Sequence, residues 1–364
     1  MRVLHVINNM VTGGAEKLLL DTLPIYNESG IKADLLVLND DNYPFMKELS
    51  DRKCCNIFVL GKLSVYNPLN VFKIIPFLKR YEIVHVHLFP SQYWVAIAKL
   101  ISFSKVKLVY TEHNTSSRRM RMKLFKIIDP FFYRPYKKIV CIAHAVKESV
   151  ITHLRISPEK LVLIHNGVNI NYIFNAQLYQ KSSFFKGDNL KIIAQVSSFH
   201  AIKDQPTLIR AMVQLPNNIK LLLIGDGHLK QECISLAEKL GLTDRVLFLG
   251  VRTDVPELLK TADIIVLSSR YEGLSLASIE GMASGRPFIA SDVPGLSEVI
   301  DGAGILFPYC DDQSLAKAIL GLLEDNQKYN AVVSACLNRA KQFDIRNMAD
   351  EHLTLYKKVV ERHN

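Results

Sequence analysis

The sequence predicts an α/β protein built from two successive parallel-sheet domains, and three observations lead there. The chain is 364 residues long, about two domains' worth at roughly 150 residues each. Short β-rich apolar runs alternate with helical stretches almost from end to end, the pattern of βαβ units. The runs fall into two series, separated by a polar span with little periodicity, residues 166–189.

In the first series, strands are expected at Val3 to Ile7, Asp34 to Leu38, Ile57 to Leu60, Ile83 to His87, Leu108 to Thr111, Ile139 to Ile142 and Leu161 to Ile164. In the second they are expected at Lys191 to Val196, Lys220 to Ile224, Val246 to Leu249, Ile264 to Leu267, Pro287 to Ala290 and Ile305 to Phe307. The expected organisation is a first domain over 1–165, a linker over 166–189, a second domain over 190–343 and a terminal helix over 344–364. No strand follows that helix, so it is expected to pack back across the domain boundary.

Composition narrows the class. Hydrophobic residues make up 49% and charged residues 22% of the chain, with 17 Gly and 14 Pro, which excludes disordered, collagenous and disulfide-scaffold proteins. The longest uncharged stretch, Ile83 to Ala98, contains two His, a Pro, a Ser and a Gln, too short and polar for a bilayer span. Met1 to Asn8 reads as a buried strand rather than a signal peptide, so a cytoplasmic location is expected. The six cysteines lack CxxC spacing and read as reduced thiols, not as a disulfide frame or zinc site.

The charge is unevenly placed. Residues 1–170 hold 24 Lys+Arg against 13 Asp+Glu, and the remainder 21 against 22, so the first half owns the whole excess behind the net +10. Within it, Arg118, Arg119, Arg121, Lys123, Phe125 and Lys126 interleave cations with apolar side chains. That mixture suits an anionic membrane face. An amphipathic helix packing its apolar side inward is the other reading. No nucleic-acid-binding motif accompanies the stretch, and nucleic acid is not an expected partner.

Several loops could carry chemistry. After the first strand, Gly13 and Gly14 precede a helical run; such a turn can bring backbone amides to a phosphate, or serve structure alone. After the first strand of the second series, the loop Ser197 to Lys203 offers an ammonium to phosphate oxygens, or a solvated lysine. Gly225 and Gly227 close the next strand, where open sheets place ligands. The most specific stretch runs from Ser268 to Gly285, with Glu272 in a loop and Glu280 on the following helix. Two such carboxylates can hydrogen-bond vicinal hydroxyls.

Together Thr12 to Glu16, Thr111-Glu112-His113, His165 to Val168, the loop ending at Lys203 and Glu272 to Gly285 resemble the retaining glycosyltransferases of family 4. The resemblance spans nearly the whole chain, and its most diagnostic part is the glutamate pair with seven residues between, Glu272 and Glu280. It implies a GT-B fold: two Rossmann-like parallel-sheet domains facing a central cleft, the first binding acceptor and the second a nucleotide-sugar donor. By position, it implies that Glu280 binds the donor ribose, that Glu272, Gly273, Leu274 and Ser275 hold the sugar and its phosphate, and that Lys203 stabilises the departing diphosphate with the amides of Gly13 and Gly14. His113 would sit beside the transferred sugar, and Gly225, Gly227, Val251 and Arg252 around the base. The chain departs from the family at Ser197-Ser198, where the commonest pattern has Gly-Arg. Ser198 supplies a hydrogen bond without a charge, leaving Arg252, a cation of Arg118 to Arg121, or Lys203 to carry the load.

The expected function is metal-independent, retaining transfer of a sugar, with UDP the expected nucleotide, to a glycan or lipid-linked saccharide at the inner membrane face. No Asp-x-Asp sequence suggests a metal clamp, and no cofactor is expected. A nucleotide-sugar epimerase of the same fold and a noncatalytic nucleotide-sugar-binding subunit are the alternatives, since fold does not fix reaction.

Overall fold

A computed structural model describes residues 1–113 and 122–361. Two compact units emerge, one of Met1–Gly167 with Ile345–Asn364, the other of Val168–Asp344.

The first unit is a seven-stranded parallel sheet. Its strands are β1 (Arg2–Ile7), β2 (Lys32–Val37), β3 (Ile57–Val59), β4 (Ile83–His87), β5 (Lys107–Glu112), β6 (Tyr136–Cys141) and β7 (Leu161–Leu163), in the order β3-β2-β1-β4-β5-β6-β7. The second unit holds six: β8 (Lys191–Val196), β9 (Ile219–Ile224), β10 (Val246–Gly250), β11 (Ile264–Leu267), β12 (Phe288–Ser291) and β13 (Ile305–Phe307), in the order β10-β9-β8-β11-β12-β13. All thirteen expected strands are present. The sheets share one plan, in which the chain reverses direction between the first and fourth strand of each: β1 and β4, then β8 and β11. Loops leaving the carboxyl ends at such a reversal form a ligand crevice.

Parallel strands covered by helices on both faces read as continuous apolar runs, which explains why the sequence announces them. All five residues of β4 are buried, as are the last five of β1. β6 begins at Tyr136, earlier than the apolar run suggests, because Tyr136 is wholly buried and its hydroxyl donates to Gln92 O at 2.7 Å while two lysines interrupt the pattern after it. The helix Ile345–Glu361 belongs to the first unit and buries Met348, His352, Leu355, Tyr356 and Val359 there.

The span 166–189 is more structured than its composition suggests. It contains the helix Ile170–Phe174 and a 3-10 turn at Lys181–Ser183, and it buries Ile170, Ile173 and Phe185. The boundary falls at its start, between Gly167 and Val168. Polar residues dominate the stretch, so its few anchors are hard to read as a pattern.

Candidate functional site

The second unit's reversal point gathers the most reactive side chains. The loop after β8 runs from Ser197 to Asp204, and the loop after β11 from Ser268 to Ser275. They are tied together through the backbone: Arg270 N donates to Ile202 O at 2.7 Å, and the Ser268 hydroxyl meets Asp204 O at 2.8 Å and Gln195 Oε1 at 2.9 Å. Gln195 in turn donates to Lys203 O at 3.2 Å. Lys203 therefore starts from a fixed backbone, and its Nζ lies 2.5 Å from Glu272 Oε1. Glu272 also accepts from the Ser269 hydroxyl at 2.7 Å and is 8% exposed. A carboxylate taken this far from water is held by charge-assisted hydrogen bonds.

Two glycines let neighbouring segments pack closely on these loops. A Cβ on Gly295, whose φ is +87°, would stand 2.1 Å from Glu272 O. On Gly225, φ +134°, it would stand 2.1 Å from Ser197 O. A side chain at Gly295 would push the segment after β12 away from Glu272, and one at Gly225 would push the end of β9 away from Ser197.

Downstream, Ser275 begins the helix Leu276–Ala283; Leu274 and Ser275 are buried, while Gly273 and Glu280, the latter on the helix, are half-buried. The helix start places backbone N–H groups and a partial positive charge beside the Lys203 and Glu272 loops. Ser198 is half-buried, its carbonyl accepting from Gln205 at 2.9 Å. Gly227 closes on Phe199, a Cβ there falling 2.5 Å from Phe199 O. Val251 is exposed. Arg252 forms a two-pronged pair with Asp254, at 2.7 and 2.6 Å, and Tyr179 donates to the same carboxylate at 2.6 Å. That fork pairs the half-exposed guanidinium with a carboxylate on its own loop.

In the first unit, Gly13 precedes the helix Gly14–Glu28, and Glu16 tucks its carboxyl against it, where a Cβ on Gly13 would meet Glu16 Oε2 at 2.3 Å. Burial pushes the Glu16 carboxyl up to about 7, which favours the neutral form beside a helix start suited to anions. The Thr111-Glu112-His113 run divides its duties. The Thr111 hydroxyl lies 2.7 Å from His85 Nε2, Glu112 accepts from the Tyr133 hydroxyl at 3.0 Å, and the half-buried His113 places Nε2 3.3 Å from His87 Nδ1.

The basic stretch is only partly visible: Arg118, Arg119 and Arg121 lie outside the described residues. Lys123 and Lys126 are exposed on the helix Lys123–Tyr133. Phe125 is half-buried, its ring set against Phe89 at 6.3 Å, so the outward apolar side chains are instead Leu124, Ile127 and Phe131. No helix among the described residues is long and apolar enough to cross a membrane.

The sequence did not single out His5, His85, His87 and His352, all buried in the first unit. The alternation of His85 and His87 on one strand was the available signal. Nor did it single out Gln195, and it named Ser268 and Ser269 only as the start of a stretch, without the contacts by which these three pin Lys203 and Glu272.

Both halves of the chain match known families. Residues 12–172 match the family model described as Glycosyltransferase Family 4, and residues 179–338 match Glycosyl transferases group 1. The chain is similar to the N-acetyl-alpha-D-glucosaminyl L-malate synthase of Bacillus anthracis, 28% identical over 285 residues, 76% of this chain and 74% of that one. It is similar to the UDP-Gal:alpha-D-GlcNAc-diphosphoundecaprenol alpha-1,3-galactosyltransferase of Escherichia coli, 25% identical over 320 residues, 83% of this chain and 81% of that one. Among solved structures, Anabaena Alr3699/HepE in complex with UDP and glucose superposes with a TM-score of 0.85 at 24% identity, covering 98% of this chain and 99% of that one. With two parallel sheets of matching strand order and both halves covered by these models, the chain belongs to the family 4 glycosyltransferases of GT-B fold.

Proposed function

We propose that the protein transfers a sugar from a UDP-sugar to a lipid-linked saccharide, with retention of configuration and without a metal. The observation that carries this reading is the Lys203–Glu272 pair, 2.5 Å apart at the reversal point of the second sheet. A carboxylate holds the ammonium ready in the absence of donor, and a diphosphate offers that ammonium a stronger anionic partner. Glu272 is then free to accept hydrogen bonds from the sugar hydroxyls. The family resemblance gives Glu280 the ribose and His113 the transferred sugar.

Charge dictates the mechanism. Breaking the bond between the anomeric carbon and the diphosphate leaves negative charge on the departing oxygen. A preorganised ammonium and helix-start amides stabilise that charge more in the transition state than in the ground state. The acceptor hydroxyl attacks from the face the diphosphate leaves. Its proton passes to the departing diphosphate oxygen, so configuration is kept and no enzyme nucleophile is consumed. With a serine at 198 where the commoner pattern has an arginine, Lys203 carries most of the charge that the arginine would share.

The acceptor reading draws on the Escherichia coli relative, whose name specifies UDP-Gal and a diphosphoundecaprenol acceptor. The Bacillus anthracis relative is named an N-acetyl-alpha-D-glucosaminyl L-malate synthase, so likeness alone does not choose. The surface of the helix Lys123–Tyr133 favours the lipid: Leu124, Ile127 and Phe131 face outward at 57%, 78% and 58% exposure beside Lys123 and Lys126. Apolar side chains entering a bilayer while lysines meet anionic headgroups fit that surface. Ile127→Asp should abolish binding to anionic vesicles; unchanged binding by the variant would remove the membrane reading.

The test is transfer from a panel of UDP-sugars to a diphosphoundecaprenol-linked saccharide in the presence of a chelator. The α-configured product should form at an undiminished rate. A β-linked product, donor consumption without acceptor, or activity lost to the chelator would each overturn part of the proposal.

A further inference from the structure

Close to the first unit's reversal point lies a group of histidines that the family motifs, apart from His113, leave unused. His5 on β1 pairs in register with His85 on β4, and His85 and His87 alternate onto the same face of the sheet. Three rings form a chain: His5 Nδ1 is 3.1 Å from His87 Nε2, and His87 Nδ1 is 3.3 Å from His113 Nε2. At the inner end, His5 Nε2 and His352 Nε2 are buried and meet no hydrogen-bond partner. Both residues line a cavity of about 20 Å³.

A hydrogen-bonded chain of imidazoles fixes more than position. Burial holds His5 down to about 3 and His113 and His352 to about 4, with His85 and His87 also well below their ordinary value. All are neutral at neutral pH. A neutral imidazole has one N–H and one bare nitrogen, so a middle ring bonded on both sides must donate one way and accept from the other. The tautomers of the three rings are thereby coupled. His352 Nδ1 lies 3.2 Å from the Tyr26 hydroxyl, which can accept its proton, while Nε2 meets no partner in the protein; with the proton on Nδ1, Nε2 is an acceptor. The cavity has room for one water, able to accept from His5 Nε2–H and donate to His352 Nε2. In that sense every ring of the chain carries its proton on Nε2, the intrinsically preferred tautomer of neutral imidazole, and His113 Nδ1 is bare.

His5, His85 and His87 also approach one another closely enough to suggest a metal site. Two features oppose it. Both nitrogens of His85 already have hydroxyl partners, Tyr356 at 2.5 Å and Thr111 at 2.7 Å. No acidic residue is among those lining the cavity, so a dication there would lack a counter-charge.

We propose that His87 is a positioning residue, and that the His5–His87–His113 relay holds His113 with Nε2–H donated to His87 and Nδ1 presented as acceptor to a hydroxyl of the transferred sugar. The relay rests on the structure; the sugar contact rests on the reading of His113 given under the proposed function.

Two-bond ¹H–¹⁵N correlation spectra of the full chain, labelled at histidine, test the relay at pH 7 without substrate. His5, His87 and His113 should all be protonated on Nε2, and His87→Phe should convert His113 to a mixture of tautomers. Should that variant not fold, His5→Phe removes the inner end of the chain and should loosen His113 in the same direction. Protonation of His113 on Nδ1 in the wild type, or an unaltered His113 in a folded variant, would overturn the relay. In parallel, His87→Phe should raise KM for the UDP-sugar several-fold while leaving UDP affinity unchanged. An intact relay with an unaltered KM in the variant would refute the sugar contact alone.

Discussion

The two units repeat one strand order and furnish its reversal point in opposite ways. In the second, the loops after β8 and β11 bring an ammonium and a carboxylate to 2.5 Å. In the first, the strands on either side carry buried, neutral imidazoles bonded to one another and to hydroxyls. One scaffold thus holds a charged pair at one reversal point and a neutral network at the other; the proposed function uses the first for a leaving diphosphate and the second to orient a sugar hydroxyl. The difference makes the units respond differently to acid and to substitution.

The largest expected effect is on the first unit's stability below neutral pH. His5, His85 and His87 are nearly free of solvent exposure, and their folded-state affinity for protons is depressed. The unfolded chain therefore binds more protons below about 6.5, where histidine ordinarily titrates. The stability these rings contribute is complete above that value and is lost as pH falls toward their folded values. Each contributes a slope of at most about 1.4 kcal/mol per pH unit. Glu16, raised to about 7, works the other way, contributing stability that is lost as pH rises from about 4.5 toward 7, but it is one group against several. The single tryptophan is Trp94, in the first unit, so its fluorescence in urea reads this unit. The midpoint should fall steeply between pH 7 and 5; a flat profile would mean the imidazoles are hydrated.

Next in size is catalysis in the second unit. Lys203→Ala should lower kcat by roughly 10²–10³, the usual cost of losing one preorganised donor to a developing oxyanion, while the tryptophan-monitored unfolding of the first unit stays put. A loss under tenfold would shift the leaving-group charge elsewhere. Smaller again is the effect of Gly295→Ala, where the new Cβ falls 2.1 Å from Glu272 O. It should destabilise the second unit by roughly 2 kcal/mol or more and weaken donor binding. Gly302→Ala, also at positive φ but with nothing within 4 Å, should cost only about 1 kcal/mol and spare the donor. Equal effects from the two would show that the contact with Glu272 is unimportant.

The contrast also explains what could be read in advance. Strands such as β4, β8, β11 and β13 are evident at their true bounds because apolar residues dominate each, most completely in β11, an unbroken apolar run buried throughout. The loop residues Lys203 and Glu272 stand out through a spaced pattern, but their pairing across 69 residues depends on the β8–β11 neighbourhood that only the sheet order creates. The histidine chain is harder still. His5 and His87 are 82 residues apart, and within a strand each passes for a polar interruption of an apolar run. Phe125 shows the converse limit: composition places it among exposed cations, while the helix turns its ring toward Phe89.

The central claim is that the Lys203–Glu272 pair receives the donor's diphosphate. Calorimetric titration of UDP into the wild type and Lys203→Ala, with Lys126→Ala as a control on the first unit, tests it most directly. The account predicts at least tenfold weaker binding for Lys203→Ala and no change for Lys126→Ala. Equal affinity in all three proteins would contradict it.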